Sequence, residues 1–273
     1  MNTRRDKRSQ DAPRDIKITY EGLARADGSA RFGFGDMVSL ASVSGPIEVR
    51  LAAEHASHAT FEVTTRPLSN VPATEAKSMA LAIRSALLPS LILNNHPRTL
   101  IQLVVQALTS ARTQWKDSLI ASMINAGSLA LMSAGSVPMR GVVCAVAIGH
   151  LPGIGPVVDP SEEECSDLSA GGCFAFLFAE GVGSNVENVW TSWRTRSGAV
   201  DEKNFAQARA LAKGAAQNVY IAFKSSVSWM GTNEPFELAH SGATRIHEER
   251  EEPEDEDEEK MEIWSVLIYF VSR

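Results

Sequence analysis

Residues 115–134 constrain the fold more than any other part of the chain. This stretch predicts a helix whose apolar side chains cover most of the circumference rather than a single stripe. Small residues at Ala126, Gly127 and Ala130 allow neighbouring elements to approach closely, and Gly135 is a typical C-terminal stop. A helix that is apolar all round must be buried, so we expect it to lie at the centre of a domain.

The segments around this helix predict a mixed sheet-and-helix domain. Three strands between about Ala30 and Arg66 are separated by short turns, which favours an antiparallel meander. A helix beginning at Thr74 and a β-branched strand lead to the central helix. Three further strands and a long helix capped by Asp201 follow. The predicted order is βββ–α–β–α–βββ–α, which belongs to the α+β class.

The two ends of the chain differ in composition from this domain. Residues 1–17 are charged and poor in apolar side chains, which predicts a disordered basic tail that folding does not require. Residues 18–230 form the predicted domain, 231–262 an acidic disordered linker, and 263–273 a short apolar peptide. The run from 248 to 262 has 11 acidic and 2 basic residues, a charge of −9 against −7 for the whole chain. The remainder therefore carries about +2 and is near neutral, unlike a strongly basic nucleic-acid-binding domain.

Composition and motifs also argue against several classes of protein. The three cysteines include no CxxC pair, so neither a disulfide framework nor a zinc site is predicted, and a reducing intracellular compartment is indicated. There is no signal-peptide h-region and no apolar run of about 20 residues, so we expect no membrane partner. The sequence contains no Walker loop, no GxSxG and no HExxH. We expect no cofactor and no metal.

Four segments in a fixed order carry a resemblance to a known family. They are ADGSARFGFGDMVSLASVSGPIEVR (26–50), FEVTTRPLSNVPATE (61–75), IRSALLPSLILNNHPRTLIQLVVQAL (83–108) and INAGSLALMSAGSVPMRGVVCAVAIG (124–149). Over roughly residues 20–225 the chain resembles the RNase PH-like subunits of the eukaryotic RNA exosome ring. The resemblance implies the RNase PH fold, which is ribosomal protein S5 domain 2-like. It also implies RNA, cap proteins and other RNase PH-like exosome subunits as partners, in the nucleus, nucleolus and cytoplasm.

The resemblance further implies that the catalytic centre is lost. Active relatives cradle phosphate with an arginine-containing turn at the start of the central helix, and this arginine position is Ile120 here. Their two aspartates, six residues apart, correspond to Cys165 and Gly171. Phosphorolysis needs cations for the attacking phosphate and carboxylates for a metal or a proton. We therefore expect no catalytic residues.

Three arginines are candidates for RNA contact. Arg84 matches a family arginine on the first helix, Arg98 lies in an HPR turn, and Arg66 precedes a loop that active relatives turn toward the ring channel. The alternative reading is a solvated arginine or a salt bridge between ring subunits, and a lone surface arginine does not decide between the two. His55 and His58 are interpreted as exposed loop histidines, because no third metal ligand accompanies them.

The sequence thus predicts a non-catalytic structural and RNA-contacting ring subunit that supports RNA processing and degradation from the 3′ end by associated nucleases. Two alternatives stay open at this point. One is an active phosphate-dependent 3′–5′ exoribonuclease, which the lost charges disfavour. The other is a free homo-oligomeric nucleic-acid-binding protein or hydrolytic nuclease.

Overall fold

The computed structural model describes residues 4–68, 73–110, 113–179, 186–196, 198, 201–231 and 234–238, which form two β-sheets and three long helices. In chain order the strands are β1 (Ile16–Tyr20), β2 (Gly28–Phe34), β3 (Met37–Glu48), β4 (Thr60–Arg66), β5 (Thr99–Ala107), β6 (Val142–Leu151), β7 (Gly155–Val158), β8 (Ala170–Phe178), β9 (Val186–Thr195) and β10 (Phe236–Leu238). The helices are α1 (Thr74–Leu87), α2 (Asp117–Ala134) and α3 (Glu202–Ser226). Every predicted strand and helix is present. The prediction missed β1, β7 and β10, because strands of three to five residues are too short to show a period.

One sheet has six strands in the order β10-β1-β2-β3-β5-β4, and the other has four in the order β7-β6-β8-β9. The predicted antiparallel meander is correct for β2 and β3. It is wrong for β4, which pairs in parallel with β5. The chain leaves β4 through α1 before it returns to β5, and parallel neighbours require such a crossover.

Helix α2 lies between the two sheets, as its composition predicts. Fourteen of its 18 residues are buried, and it packs against β2 and β3 on one side and β6 on the other. Its polar side chains are satisfied there: Asn125 exchanges two hydrogen bonds with the Ala145 backbone, at 2.8 and 2.7 Å, and the Ser128 hydroxyl donates to the Val143 carbonyl oxygen at 2.6 Å. These bonds fix the rotation of α2, and with it the direction in which its N-terminus points.

The close approach of β2 to α2 depends on Gly28. A Cβ at this position would lie 2.4 Å from both the Ala130 carbonyl oxygen and the Ala134 nitrogen, which are backbone atoms. We expect Gly28→Ala to lower the free energy of unfolding by about 2–3 kcal/mol, measured by urea denaturation. Gly214 is the matched control, because it is exposed within α3 and a Cβ there meets nothing within 4 Å. Gly214→Ala should instead stabilise by about 0.5–1 kcal/mol; similar losses in both variants would contradict this account.

The N-terminal segment is packed against the four-stranded sheet, so the prediction of a disordered tail over 1–17 is wrong for residues 4–17. The Arg4 side chain is 1% exposed and forms two hydrogen bonds with the Glu164 carboxylate, at 3.0 and 2.8 Å. It also donates to the carbonyl oxygens of Val158 and Asp159, at 3.0 and 3.2 Å. The prediction from composition was wrong because it assumed that charged side chains stay in water. The Arg4 side chain is instead buried with Glu164 as its partner.

A second buried carboxylate holds the same segment. Asp159 is 1% exposed, and its two oxygens accept from Arg14 at 2.7 Å each. Burial alone would raise the pKa of Asp159, but the adjacent Arg14 guanidinium outweighs burial and lowers it. The Val158 nitrogen also donates to the Gln10 carbonyl oxygen at 2.8 Å. The segment is therefore attached by backbone and side-chain bonds to the end of β7.

The described C-terminal residues contradict part of the predicted acidic linker. Residues 236–238 form β10, which pairs antiparallel with β1 at the edge of the larger sheet, so the prediction of disorder from residue 231 is wrong there. The rest of the linker from residue 239 and the apolar peptide 263–273 lie outside the described residues. No helix in the described part of the chain is long and apolar enough to span a bilayer.

Candidate functional site

The N-terminus of α2 is the point where active relatives are expected to hold phosphate. Here Asp117 lies in the first turn and is 4% exposed. Its Oδ2 atom accepts from Arg194 at 2.8 Å, and its Oδ1 atom accepts from the Ser192 hydroxyl at 3.4 Å. Burial raises the pKa of Asp117, and Arg194 offsets this in part. A helix N-terminus attracts anions, and this one already has a carboxylate of its own chain.

The three positions that we align with charged groups of active relatives carry no charge in this chain. Ile120 is half-buried and packs against the main core. Cys165 is buried with Leu151, Val157 and Leu168, and this burial raises the pKa of its thiol to about 11, so the thiol is neutral at physiological pH. Neither side chain supplies a cation for a phosphate or an oxygen ligand for Mg²⁺.

A tryptophan occupies the space beside the third position. A Cβ added to Gly171 would lie 3.2 Å from the Cζ3 atom of Trp115. The guanidinium of Arg194 lies over the same ring, 5.4 Å from its centroid. Trp115, Asp117, Ser192 and Arg194 thus form one group, the Trp115 cluster. Its cation donates through one terminal nitrogen to the Asp117 carboxylate and lies over an aromatic face, so part of its charge is already neutralised within the chain.

The three predicted RNA-contacting arginines lie in two places. Arg84, on α1, donates from Nε to the Phe61 carbonyl oxygen at 3.0 Å, near the start of β4. Arg66 is at the other end of β4, about 16 Å away at strand spacing. Arg98 is exposed, forms an ion pair with Glu54 at 3.3 Å, and donates its backbone N–H to the His55 carbonyl oxygen. The structure brings Arg84 and Arg98 to one region and separates Arg66 from them.

A cleft of about 490 Å³ lies in that region. Four of its lining side chains carry or can carry positive charge, namely Arg84, Arg140, His55 and His58. The two histidine rings are stacked, with centroids 4.5 Å apart and an interplanar angle of 11°. Sequence reasoning found no role for these histidines and missed Arg140. No local pattern could have revealed it, because Arg140 follows α2 and is distant from Arg84 in the chain.

Comparison with known proteins places the chain in a family. Residues 12–136 match RNase PH, described as the 3′ exoribonuclease family, domain 1. The exosome complex component RRP46 of Saccharomyces cerevisiae is 30% identical over 170 residues, which cover 61% of this chain and 75% of that protein. The chain belongs to the RNase PH family. The exosome complex component rrp46 of Schizosaccharomyces pombe is 36% identical over 124 residues, 45% of this chain, and this match spans only 53% of the relative's length.

Solved structures agree on the fold. The crystal structure of rice (Oryza sativa) Rrp46 superposes with a TM-score of 0.71 and 23% sequence identity, covering 82% of this chain and 99% of that one. An archaeal exosome core gives a TM-score of 0.65 at 21% identity, covering 82% and 92%. The predicted RNase PH fold and α+β class are confirmed. Within the family, this chain is an RNase PH-like homologue of exosome components.

Proposed function

We propose that the chain is a non-catalytic subunit of an exosome ring, which contributes structure and RNA contacts while associated nucleases degrade RNA from its 3′ end. The observation that carries this proposal is the occupied N-terminus of α2. Asp117 lies there as a buried carboxylate bound to Arg194, and a negative group at this place disfavours the binding of a phosphate beside it. Phosphoryl chemistry relies almost entirely on positioned charge.

Two kinds of observation support the proposal that the chain binds other ring subunits: the names of its relatives, and the edge strands and apolar side chains on its surface. The yeast relatives are named as components of the exosome complex. Among the described strands, β4 and β10 are the edges of one sheet and β7 and β9 the edges of the other, and an edge offers backbone groups to a neighbouring chain. Large apolar side chains are also exposed, among them Leu51 and Leu81, which are 89% and 63% exposed. A partner that covered these side chains would remove their apolar surface from water.

RNA contact is the second element of the proposal. Arg66, Arg84 and Arg98 remain the proposed contacts, with Arg66 apart from the other two. Arg66 and Arg84 have no ion pair with a carboxylate of the described residues, which leaves their charge available to phosphate. Arg98 would have to exchange Glu54 for a phosphate, so we expect it to contribute less.

Assembly tests the proposal directly. We expect the isolated protein to self-associate or to precipitate, because its body is near neutral and apolar surface is exposed. With a cognate RNase PH-like subunit it should elute from size exclusion as a single species, since obligate contacts commonly bury more than about 2,000 Å². Light scattering of the separate and mixed proteins gives the stoichiometry. A soluble monomer that ignores every candidate partner at micromolar concentration would contradict the ring assignment.

One observation favours the alternative of an active nuclease. The rice relative that is 28% identical over 168 residues, covering 62% of this chain and 68% of that protein, is named an exosome complex exonuclease. This candidate requires a site that binds phosphate and that does not depend on the three uncharged positions. Its test is a phosphorolysis assay of the purified protein on single-stranded RNA.

A further inference from the structure

The cleft lined by Arg84 and Arg140 is built from parts that the backbone holds in place. Hydrogen bonds join the segment after α1 to the segment before β6, from Ile92 N to Pro138 O at 2.9 Å and from Arg140 N to Ser90 O at 2.8 Å. On the opposite wall, Ala59 N donates to Leu93 O at 2.9 Å. A cleft with fixed walls binds a ligand without first paying to order them.

Each arginine of the cleft is anchored through one nitrogen only. Arg84 donates from Nε to the Phe61 carbonyl oxygen, and Arg140 donates from Nε to the Pro89 carbonyl oxygen. No side chain that lines the cleft is a carboxylate, and neither guanidinium forms an ion pair with an acidic group in the part of the chain that the structure describes. The terminal nitrogens therefore keep donors that suit a phosphate, at positions set by the anchors.

The other walls of the cleft are apolar and aromatic, so they suit a nucleotide base better than a second charged group. Leu91, Ile92 and Leu93 supply apolar surface, and the stacked rings of His55 and His58 supply aromatic surface. Unstacked bases of single-stranded RNA are commonly held against such faces while arginines hold the phosphate. A phosphorylated side chain would use the arginines but would leave these faces without a partner.

We infer that this cleft, called here the Arg84–Arg140 cleft, binds a nucleotide of single-stranded RNA through its phosphate and its base. The inference rests on the proposed RNA-contacting function and gives it a site. The site is separate from the Trp115 cluster. Lys116 forms an ion pair with Glu75, so the start of α1 lies beside the start of α2. Arg84 is nine residues after Glu75 on α1, which separates these two residues by about 14 Å along the helix axis.

A charge introduced at Asn94 tests the inference without disturbing either anchor. Asn94 lines the cleft and is exposed. The full-length protein is titrated into a fluorescein-labelled 12-nucleotide oligouridylate at low salt, and anisotropy gives the dissociation constant. Asn94→Glu should weaken binding about tenfold, because it sets a negative charge next to the phosphate. Asn94→Gln and Gln207→Glu are the controls; the second adds the same charge on the exposed face of α3, and both should stay within about twofold.

Salt dependence supplies a second readout. Each phosphate contact with a single strand contributes about −0.7 to the slope of log K against log salt, so Asn94→Glu should flatten this slope and Gln207→Glu should not. Equal weakening by the two charge variants would overturn the inference, since it would show diffuse electrostatics. Wild-type protein that binds no oligouridylate at low salt would overturn it as well.

Assembly separates this inference from the proposed function. Asn94→Glu should still join a cognate RNase PH-like subunit in size exclusion, with an unchanged melting temperature. If the variant assembles and binds RNA normally, the cleft is refuted while the ring assignment stands. If it loses assembly, the cleft is a subunit contact and not an RNA site. Wild-type protein that fails to assemble refutes the ring assignment whatever the anisotropy shows.

Discussion

Arg4→Ala should lower the free energy of unfolding by about 3–5 kcal/mol. The Arg4 and Glu164 side chains are each 1% exposed, so the truncation leaves a buried carboxylate without its cation. Two backbone carbonyl groups, those of Val158 and Asp159, also lose the donor that Arg4 supplies. A buried group without its partner costs its full desolvation.

Urea denaturation measures this loss, and the same segment offers a control. Arg5 pairs with Asp167 at 2.6 Å, but both side chains are at least half exposed. Arg5→Ala should therefore change stability by less than about 1 kcal/mol. The double variant Arg4→Ala with Glu164→Ala should cost less than the sum of the two single variants, because the buried charge is removed with its partner. An Arg4→Ala variant as stable as Arg5→Ala would show that the segment is not docked.

Acid should reduce the difference between wild type and Arg4→Ala. Burial tends to raise the pKa of Glu164, but its hydrogen bond with Arg4 prevails and the pKa is lowered. A carboxyl group with a lowered folded-state pKa contributes stability above its unfolded value, about 4.3, and loses it as the pH falls through the folded value. The two proteins should thus differ most near neutral pH and converge below about pH 4, in melts recorded across that range.

The docked N-terminal segment shows where sequence reasoning meets its limit in this fold. Helix α2 was predictable because the apolar residues that bury it are close together in the sequence. The N-cap of α3 is local in the same way, since the Asp201 side chain accepts from Lys203 N at 3.0 Å. Arg4 and Glu164 are 160 residues apart, and nothing in the composition of either segment reveals the pair. Pairing of β4 with β5 was missed for a related reason, because strand direction depends on the crossover and not on the strand itself.

The candidate site also has features that the sequence predicts and features that only the folded structure reveals. Motif order predicts that Ile120, Cys165 and Gly171 stand where active relatives carry charged groups, and this assignment stays a prediction. What fills the centre instead could not be predicted, since the Trp115 ring meets β8 and β9 only in the folded chain. The Arg84–Arg140 cleft is also a tertiary arrangement, in which a loop, a helix end and the segment before β6 meet.

We expect the purified protein to release no nucleoside diphosphate from single-stranded RNA in the presence of phosphate. A single well-placed group that stabilises transition-state charge is worth on the order of a hundredfold or more in rate, and three such positions are uncharged here. The combined loss, at least about a thousandfold, would put any turnover below background. Thin-layer or liquid chromatography of labelled RNA products measures the release, with an active RNase PH-like enzyme as the positive control. Phosphate-dependent release that Asp167→Ala abolishes would establish the alternative of an active exoribonuclease.

Introducing charge at Ile120, Cys165 and Gly171 should not confer phosphorolytic activity, because the Trp115 ring and the Asp117 carboxylate would remain in place. In a variant with Ile120→Arg, Cys165→Asp and Gly171→Asp, the new Cβ at residue 171 would still lie 3.2 Å from the Trp115 ring. The carboxylate of Asp117 would still occupy the helix N-terminus and oppose an incoming phosphate. Isothermal titration with inorganic phosphate should detect no binding to this variant. Binding would become possible only after Trp115→Ala and Asp117→Ala are added, since these changes vacate the space and remove the repelling charge.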